Sequence, residues 1–292
     1  MEQVIRLKDS SEIKVGLAGP AGSKTIMLPV AKESMYGQDA ENLKLWGVDP
    51  ESGKHFIEGL ADTFQVLYFD YEGHRMNHPN PDHLTPDQIV EELLFIADEM
   101  KVRRFSYYGY SWLALVGLQL AIRTDRLDSL IMGGFPPLDG PYKEMMVVTR
   151  STYEQAVVNQ DGPAWEERQE PLIPEQVDWD QVQVKIDTNQ TKQFMTMYQH
   201  LMEFDDRSVN LNPSVPKLAF AGEKDTIVYG ESFGGVTVDI AGILQRNQLA
   251  LEEMEWDVRI LSGDGMDHTK AMQPETVLPV IKPWLVSRLR DD

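Results

Sequence analysis

Short apolar, β-rich runs alternate with helical patterns through most of this 292-residue chain. Five of these runs lead directly, or within two residues, into glycine or aspartate: 64–69, 104–108, 130–132, 217–220 and 256–261. The alternation predicts βαβ units and a mainly parallel sheet. Open α/β sheets carry their sites on the loops that follow the C-terminal ends of strands. We therefore expect functional residues in these loops.

Three further runs complete the predicted sheet. Residues 4–7 and 13–17 flank a polar tract, which favours an antiparallel hairpin at the sheet edge. Residues 25–28 are short, apolar and followed by Pro29, as in a buried strand. The predicted fold class is therefore α/β, with an eight-stranded, mostly parallel sheet and flanking helices.

Several helices are predicted between the strands. Thr85 can cap a helix, Pro86 suits its first position, and Gln88 completes a capping box. Residues 113–122 are apolar almost all round, which predicts a buried helix. Pro279 and Pro283 predict a kink or a split in the last helix, over 275–289.

Residues 137–213 interrupt the alternation. They contain helical stretches at 142–159 and 190–204 and no obvious core strand. This pattern predicts a helical cap inserted into a core formed by residues 1–136 and 214–292. Met and aromatic residues at helical spacing in this stretch are typical of ordinary core packing, and collectively they favour a small or medium apolar ligand.

The segment from Gly109 to Trp112 lies where a buried strand is predicted to meet a buried helix. A tight turn of this kind strains the middle residue, Ser111, and presents its side chain at the top of the sheet. The backbone N–H of Trp112, at the helix start, can receive a developing oxyanion. The plainer alternative is a serine that only caps the helix.

The segment from Gly109 to Leu113 resembles the G-x-S-x-G nucleophile elbow of the α/β-hydrolase superfamily, with Leu113 in place of the last glycine. The superfamily's chain order is serine, acid, histidine. The resemblance implies that Ser111 is the nucleophile, that Asp225 in the Gly222-x-x-Asp225 turn is the acid, and that His268 is the base. Without the resemblance, Asp225 and His268 would be an ordinary turn carboxylate and a surface histidine, and Glu223, Asp264 and Asp267 compete for the acid's role.

Two further segments are compared with the superfamily's motifs. Residues 70–75 resemble its D-x-R-G-H-G turn, with departures at Glu72 and Arg75, and His74 is interpreted as structural. The superfamily has His-Gly after its third strand, whereas this chain has Pro29-Val30. Since proline has no N–H to donate, the backbone N–H of Ala31 is the candidate second oxyanion donor, with Val30 as the alternative.

Composition excludes several kinds of function. The net charge of −20 disfavours nucleic acid and anionic membranes as partners. The absence of cysteine rules out disulfides, thiolate metal sites and a cysteine nucleophile. We expect no cofactor and no metal, because no H-E-x-x-H or phosphate-binding glycine pattern occurs. With no secretory pattern and no apolar run of about 20 residues, a cytoplasmic protein is expected.

These features predict a serine hydrolase that acts on a small or medium apolar ester, thioester or lactone through an acyl-enzyme. Its predicted substrate-binding residues are Tyr110, Val30, Trp165 and Tyr198. One alternative keeps the triad but hydrolyses a C–C bond or transfers the acyl group. Another is a non-catalytic ligand-binding protein on a hydrolase scaffold. The partner is a small molecule, and a homodimer remains open.

Overall fold

The computed structural model describes residues 1–159 and 187–289, and its centre is an eight-stranded sheet. The sheet order is β1-β2-β4-β3-β5-β6-β7-β10, with β1 and β2 antiparallel to their neighbours and every other pair parallel. The predicted sheet and edge hairpin are confirmed. The strands are β1 Glu2–Arg6, β2 Glu12–Ala18, β3 Thr25–Leu28, β4 Gln65–Tyr68, β5 Phe105–Tyr110, β6 Leu127–Gly133, β7 Lys217–Gly222, β8 Thr226–Val228, β9 Thr237–Asp239 and β10 Trp256–Leu261.

Successive side chains of a strand point to opposite faces of the sheet. Both faces carry apolar side chains here, and helices cover both. In β3, Ile26 and Leu28 belong to one apolar cluster with α2 and α11, whereas Met27 belongs to the other, with α4 and α5. The helices are α1 Gly37–Leu45, α2 Ser52–Ala61, α3 Tyr71–Asn77, α4 Pro86–Glu99, α5 Trp112–Arg123, α6 Tyr142–Val158, α7 Thr188–Gln199, α8 Ile240–Arg246, α9 Gln248–Glu253, α10 His268–Ala271 and α11 Pro274–Arg288.

The start of α4 forms only half of the predicted capping box. The Thr85 hydroxyl accepts a hydrogen bond of 3.2 Å from the Gln88 backbone N–H, as predicted. The Gln88 side chain instead donates to Glu92 at 3.3 Å. It does so because Glu92 is a buried acceptor one turn further along the helix.

The last helix is not split by its prolines. The helix α11 runs unbroken from Pro274 to Arg288, with Pro279 and Pro283 inside it. Both prolines are four residues apart and solvent-exposed. The carbonyls that they leave without an amide partner therefore lie on the wet side of the helix, where water satisfies them. Across residues 1–159 and 187–289, no helix has the length and apolar character needed to cross a bilayer.

Along the chain, the helices α6 and α7 come between β6 and β7. No strand occurs in the described stretches 137–159 and 187–213. Two side chains of α7 anchor it to the end of α3: Gln190 Nε2 donates to the Met76 carbonyl at 2.7 Å, and Gln193 Nε2 donates to the Arg75 carbonyl at 3.0 Å. These contacts hold α7 against the core. A separate cap over 137–213 stays a prediction.

Candidate active site

Ser111 occupies a sharp turn between β5 and α5. Its backbone has φ 55° and ψ −130°, a region that residues other than glycine rarely adopt. The Ser111 N–H donates to the Gly133 carbonyl at 2.8 Å, which ties the turn to β6. Gly109 has no side chain because a Cβ atom there would collide with the Leu113 carbonyl. The chain therefore forms the strained strand–turn–helix that the sequence predicts.

His268 and Asp225 form a side-chain pair near this turn. His268 Nδ1 lies 2.9 Å from Asp225 Oδ1 and 3.0 Å from Oδ2. The Asp225 side chain is completely buried, whereas that of His268 is 20% exposed. The two residues meet because they follow adjacent parallel strands, β7 and β10. A Cβ atom on Gly222 would collide with the Met266 carbonyl, so this glycine permits the two loops to approach.

Two of the three competing carboxylates in these loops have other partners. Glu223 accepts a hydrogen bond of 3.1 Å from the Gly263 N–H. Asp267 caps α10 by accepting from the Lys270 N–H at 2.8 Å. Asp264 is exposed, and among these four carboxylates Asp225 is the one that contacts His268.

Tyr110 lies beneath the His268 side chain. Its hydroxyl donates a hydrogen bond of 2.8 Å to the His268 carbonyl, and the two ring centroids are 5.0 Å apart. Burial, with the Asp225 carboxylate nearby, raises the pKa of Tyr110 well above its ordinary value. The hydroxyl therefore stays protonated and serves as a donor.

Ser111 and His268 line the same cavity, which has a volume of about 320 Å³. The Ser111 hydroxyl has no hydrogen-bond partner among the described residues. Catalytic hydrogen bonds, such as one from a serine hydroxyl to a histidine, often form or tighten only when substrate binds. Most of the described lining is apolar or aromatic: Met76, Trp112, Phe135, Pro141, Met145, Phe194, Tyr198, Ile227, Tyr229, Val238 and Ile240.

The comparisons with known proteins rest on three-dimensional structure. No protein-family model matches the chain, and no curated protein matches it in sequence. Structurally, it is similar to a hydrolase from Pseudomonas aeruginosa, with a TM-score of 0.55, 16% identity and coverage of 99% of this chain and 98% of that one. It is also similar to a thermophilic esterase from Thermogutta terrifontis, with a TM-score of 0.54, 16% identity and coverage of 99% of this chain and 100% of that one. An enol-lactonase from Burkholderia xenovorans has a TM-score of 0.55 and 15% identity, with coverage of 97% of this chain and 100% of that one.

The chain has the α/β-hydrolase fold. The structural similarity over nearly complete chains establishes the fold of the protein. Because the sequence identities are low, its reaction must be argued from the site. The resemblance stated from the sequence is thus confirmed for the fold.

On this α/β-hydrolase fold, the other predicted site residues are dispersed. Tyr198 lines the Ser111 cavity, whereas Tyr110 packs below His268 and does not line it. Ala31 lines a second, polar cavity, and Val30 lines neither of the two. The backbone turns away at Ala31 because the Lys32 N–H bonds to the Val30 carbonyl at 2.9 Å and Val30 pairs with Asp70. Trp165 lies outside the described residues.

The lining of the Ser111 cavity includes residues that the sequence analysis did not predict. Ile227 and Tyr229 come from β8 and the turn after it, and Val238 comes from β9, which pairs with β8 in a small antiparallel sheet. The alternation of apolar residues around the Gly234-Gly235 turn was the available signal. Glu72 also lines the cavity, and the only sign of it was the departure from the superfamily's turn motif.

The described residues of this α/β-hydrolase fold include no group of three or more histidine, aspartate or glutamate side chains arranged to hold a metal ion. His74 and His78 lie near each other, with ring centroids 5.1 Å apart, in the polar cavity. His74 Nε2 is 3.1 Å from the Ser11 hydroxyl, which itself donates to Asp9. Since that hydroxyl proton is committed, His74 donates to Ser11, which is the structural role predicted for it.

Proposed function

We propose that the protein is a serine hydrolase in which Ser111 attacks a carboxylic ester, thioester or lactone. The observation that carries this proposal is the pair of contacts from Asp225 to His268 Nδ1, with His268 and Ser111 lining one cavity. A carboxylate on Nδ1 fixes the tautomer that leaves Nε2 free to accept a proton. It also stabilises the imidazolium that forms.

The first half of the reaction produces an acyl-enzyme. Ser111 Oγ bonds to the substrate carbonyl carbon while its proton moves to His268 Nε2. The carbonyl oxygen becomes an oxyanion, which accepts a hydrogen bond from the Trp112 backbone N–H at the start of α5. The bond from the carbonyl carbon to the leaving group then breaks, and His268 returns the proton to the departing alcohol or thiol.

The second half regenerates the enzyme. Water attacks the acyl carbon and passes a proton to His268, and the new tetrahedral intermediate expels Ser111, which regains its proton. The products are the carboxylic acid and the alcohol or thiol, which for a lactone are parts of one hydroxy acid. The strained backbone at Ser111 supports this role, because such strain is found where a side chain must be held for chemistry.

The cavity supports a small or medium apolar substrate. Its volume of about 320 Å³ and its aromatic lining fit a single compact acyl group rather than a polymer. The position of Ala31 and Val30 away from this cavity favours one competing function, a ligand-binding protein with an incomplete oxyanion hole. Removal of one oxyanion donor costs about 3 kcal/mol of transition-state stabilisation, so this difference is measurable.

The deciding experiment is labelling of the purified protein with a fluorophosphonate probe. Wild type should label, Ser111→Ala should not, and His268→Ala and Asp225→Asn should label at least a hundredfold more slowly. His55→Ala is the matched control, because His55 forms a similar pair with Asp49 at the surface, with 2.5 Å between Nδ1 and Oδ2. This control should label like wild type.

Two results would redirect the proposal. Absence of labelling in a folded wild type would contradict the serine-hydrolase mechanism and favour the ligand-binding protein. Labelling without ester or lactone hydrolysis would favour the C–C bond hydrolase or the acyltransferase, which product analysis with an added alcohol acceptor separates.

A further inference from the structure

The polar groups of the Ser111 cavity share an unusual hydrogen-bonding character. They comprise five described side chains apart from the tyrosines and the Ser111–His268 pair: Glu72 of α3, Thr149 and Thr152 of α6, and Gln190 and Thr191 of α7. The three threonines and the glutamate offer acceptors in an otherwise apolar cavity. What these groups can still donate or accept therefore determines which ligands fit.

The threonine hydroxyls have already used their protons. Thr149 Oγ1 donates to the Met145 carbonyl at 2.8 Å, and Thr152 Oγ1 donates to the Val148 carbonyl at 2.8 Å. Thr191 Oγ1 donates to the Thr188 carbonyl at 3.0 Å. A hydroxyl has one proton and two lone pairs, so each oxygen can only accept from a ligand.

Gln190 adds one more free acceptor. Its Nε2 donates to the Met76 carbonyl, which fixes the orientation of the amide because a carbonyl accepts only from the NH₂ group. Its Oε1 has no partner among the described residues. Tyr198 and Tyr229 can donate or accept and do not discriminate between ligands. Trp112 Nε1, a donor without a described partner, is covered by other atoms.

The described charges of the cavity disfavour anionic ligands. Glu72 is its one carboxylate among the described residues, and neither lysine nor arginine lines this described part of it. Lys32 pairs with Glu72 at 3.1 Å but lines the second cavity instead. A carboxylate or phosphate entering the Ser111 cavity would lose its hydration, meet the Glu72 carboxylate and find no lysine or arginine in the described lining.

We infer that the substrate carries an uncharged hydroxyl group on its apolar part, away from the scissile carbonyl, and carries no anionic group. The kinetic part of this inference rests on the proposed hydrolase function, whereas the binding preference rests on the acceptors and on the Glu72 charge. The substrate hydroxyl donates a hydrogen bond to a threonine oxygen, which can only accept one. The rest of the substrate fills the aromatic lining.

The kinetic test uses three methyl esters of matched length: 6-hydroxyhexanoate, heptanoate and the monoester of adipate. Wild type should hydrolyse the hydroxy ester at least as fast as heptanoate, and the anionic monoester at least tenfold more slowly, in kcat/KM. The ratio of hydroxy ester to heptanoate should fall about fivefold, the effect of one ordinary hydrogen bond, in at least one of Thr149→Val, Thr152→Val and Thr191→Val.

Thr196→Val is the matched control on α7. The Thr196 hydroxyl also donates to a backbone carbonyl, that of Pro81, at 2.6 Å, but Thr196 does not line the cavity. A merely structural effect would lower stability in both kinds of variant and leave the substrate ratio unchanged. An unchanged ratio in all three cavity variants would overturn the inference, and so would a wild-type preference for the anionic monoester.

A binding measurement separates failure of this inference from failure of the proposed function. Calorimetric titration of Ser111→Ala with 6-hydroxyhexanamide, heptanamide and the monoamide of adipic acid requires no turnover. Binding of the hydroxy amide that weakens in a threonine variant would support the donor preference even if wild type never labels with fluorophosphonate. If the anionic amide binds most tightly, the inferred preference for an uncharged, hydroxyl-bearing ligand is wrong, even if wild type is an active hydrolase.

Discussion

The Tyr110 hydroxyl donates a 2.8 Å hydrogen bond to the backbone carbonyl of His268, so the residue before the proposed nucleophile holds the residue proposed as its base. Tyr110 is 6% exposed, and the contact joins the end of β5 to the start of α10. This bond holds the His268 backbone, and Tyr110 does not line the cavity. Tyr110 therefore acts as a positioning residue in the proposed mechanism.

The substitution Tyr110→Phe should lower kcat for ester hydrolysis about five- to tenfold and leave KM nearly unchanged. Its free energy of unfolding should fall by about 1 kcal/mol, the net effect of one buried hydrogen bond. The matched control is Tyr108→Phe, because Tyr108 lies in the same strand and its buried hydroxyl has no partner among the described residues. Equal effects on kcat in the two variants would contradict the positioning role.

Backbone strain at Ser111 predicts an unusual order of stabilities. At φ 55°, glycine is free of the Cβ penalty that serine and alanine incur. Ser111→Gly should therefore be about 1 kcal/mol more stable than Ser111→Ala in urea denaturation. The same two substitutions at Ser106, in the extended strand β5, should show the reverse order, because glycine weakens a strand interior. If alanine is the more stable replacement at both positions, the turn is unstrained.

His74 makes stability depend on pH. Burial, with Arg75 and His78 nearby, lowers the pKa of His74 to about 4, whereas an unfolded histidine titrates near 6.5. The unfolded chain therefore binds more protons between these values, and stability rises with pH across this window. The stabilisation is complete above pH 6.5 and is lost as pH falls toward 4. Its size is about 2 to 3 kcal/mol.

Denaturation in urea between pH 4 and 7 checks this dependence. In His74→Asn, the difference in unfolding free energy between pH 7 and pH 4.5 should be about 2 kcal/mol smaller than in wild type. The control is His55→Asn, the same substitution at a half-exposed histidine. Identical slopes in wild type and His74→Asn would show that His74 titrates normally.

Arg75 is a buried cation whose loss should be costly. It is fully buried and bonds to Asp9 at 2.7 Å and Glu92 at 2.8 Å, while burial raises the pKa of Glu92. Arg75→Met should lower the unfolding free energy by about 3 to 5 kcal/mol, because Glu92 is left buried and unpaired. Adding Glu92→Gln should restore part of that loss.

The contrast for this prediction is a surface ion pair. Arg123 and Asp87 are 2.5 Å apart but partly exposed, so Arg123→Met should cost no more than about 1 kcal/mol. A small loss in Arg75→Met, or no recovery in the double variant, would show that burial of the Glu92 charge is not the cause. Chemical denaturation of wild type and the three variants decides between these results.

Local patterns determined much of this structure. The alternation of apolar runs and helical periodicity specifies the eight strands, since burial on a sheet requires period 2 and burial of a helix face requires about 3.6. The elbow at Ser111 and the Thr85 cap are likewise local, because they depend on neighbours within four residues. The chain order of serine, aspartate and histidine came from a resemblance, and the contact of Asp225 with His268 agrees with it.

Only the tertiary structure decided which side chains share a cavity. Glu72 and Tyr229 belong to segments more than 150 residues apart, and no local pattern relates them. Gln88 left its predicted partner because a buried carboxylate, Glu92, lies within reach. Prolines remained inside α11 because their side of the helix faces water. Sequence specifies periodicity and turns, whereas contacts between distant segments depend on packing, burial and the pairing of strands.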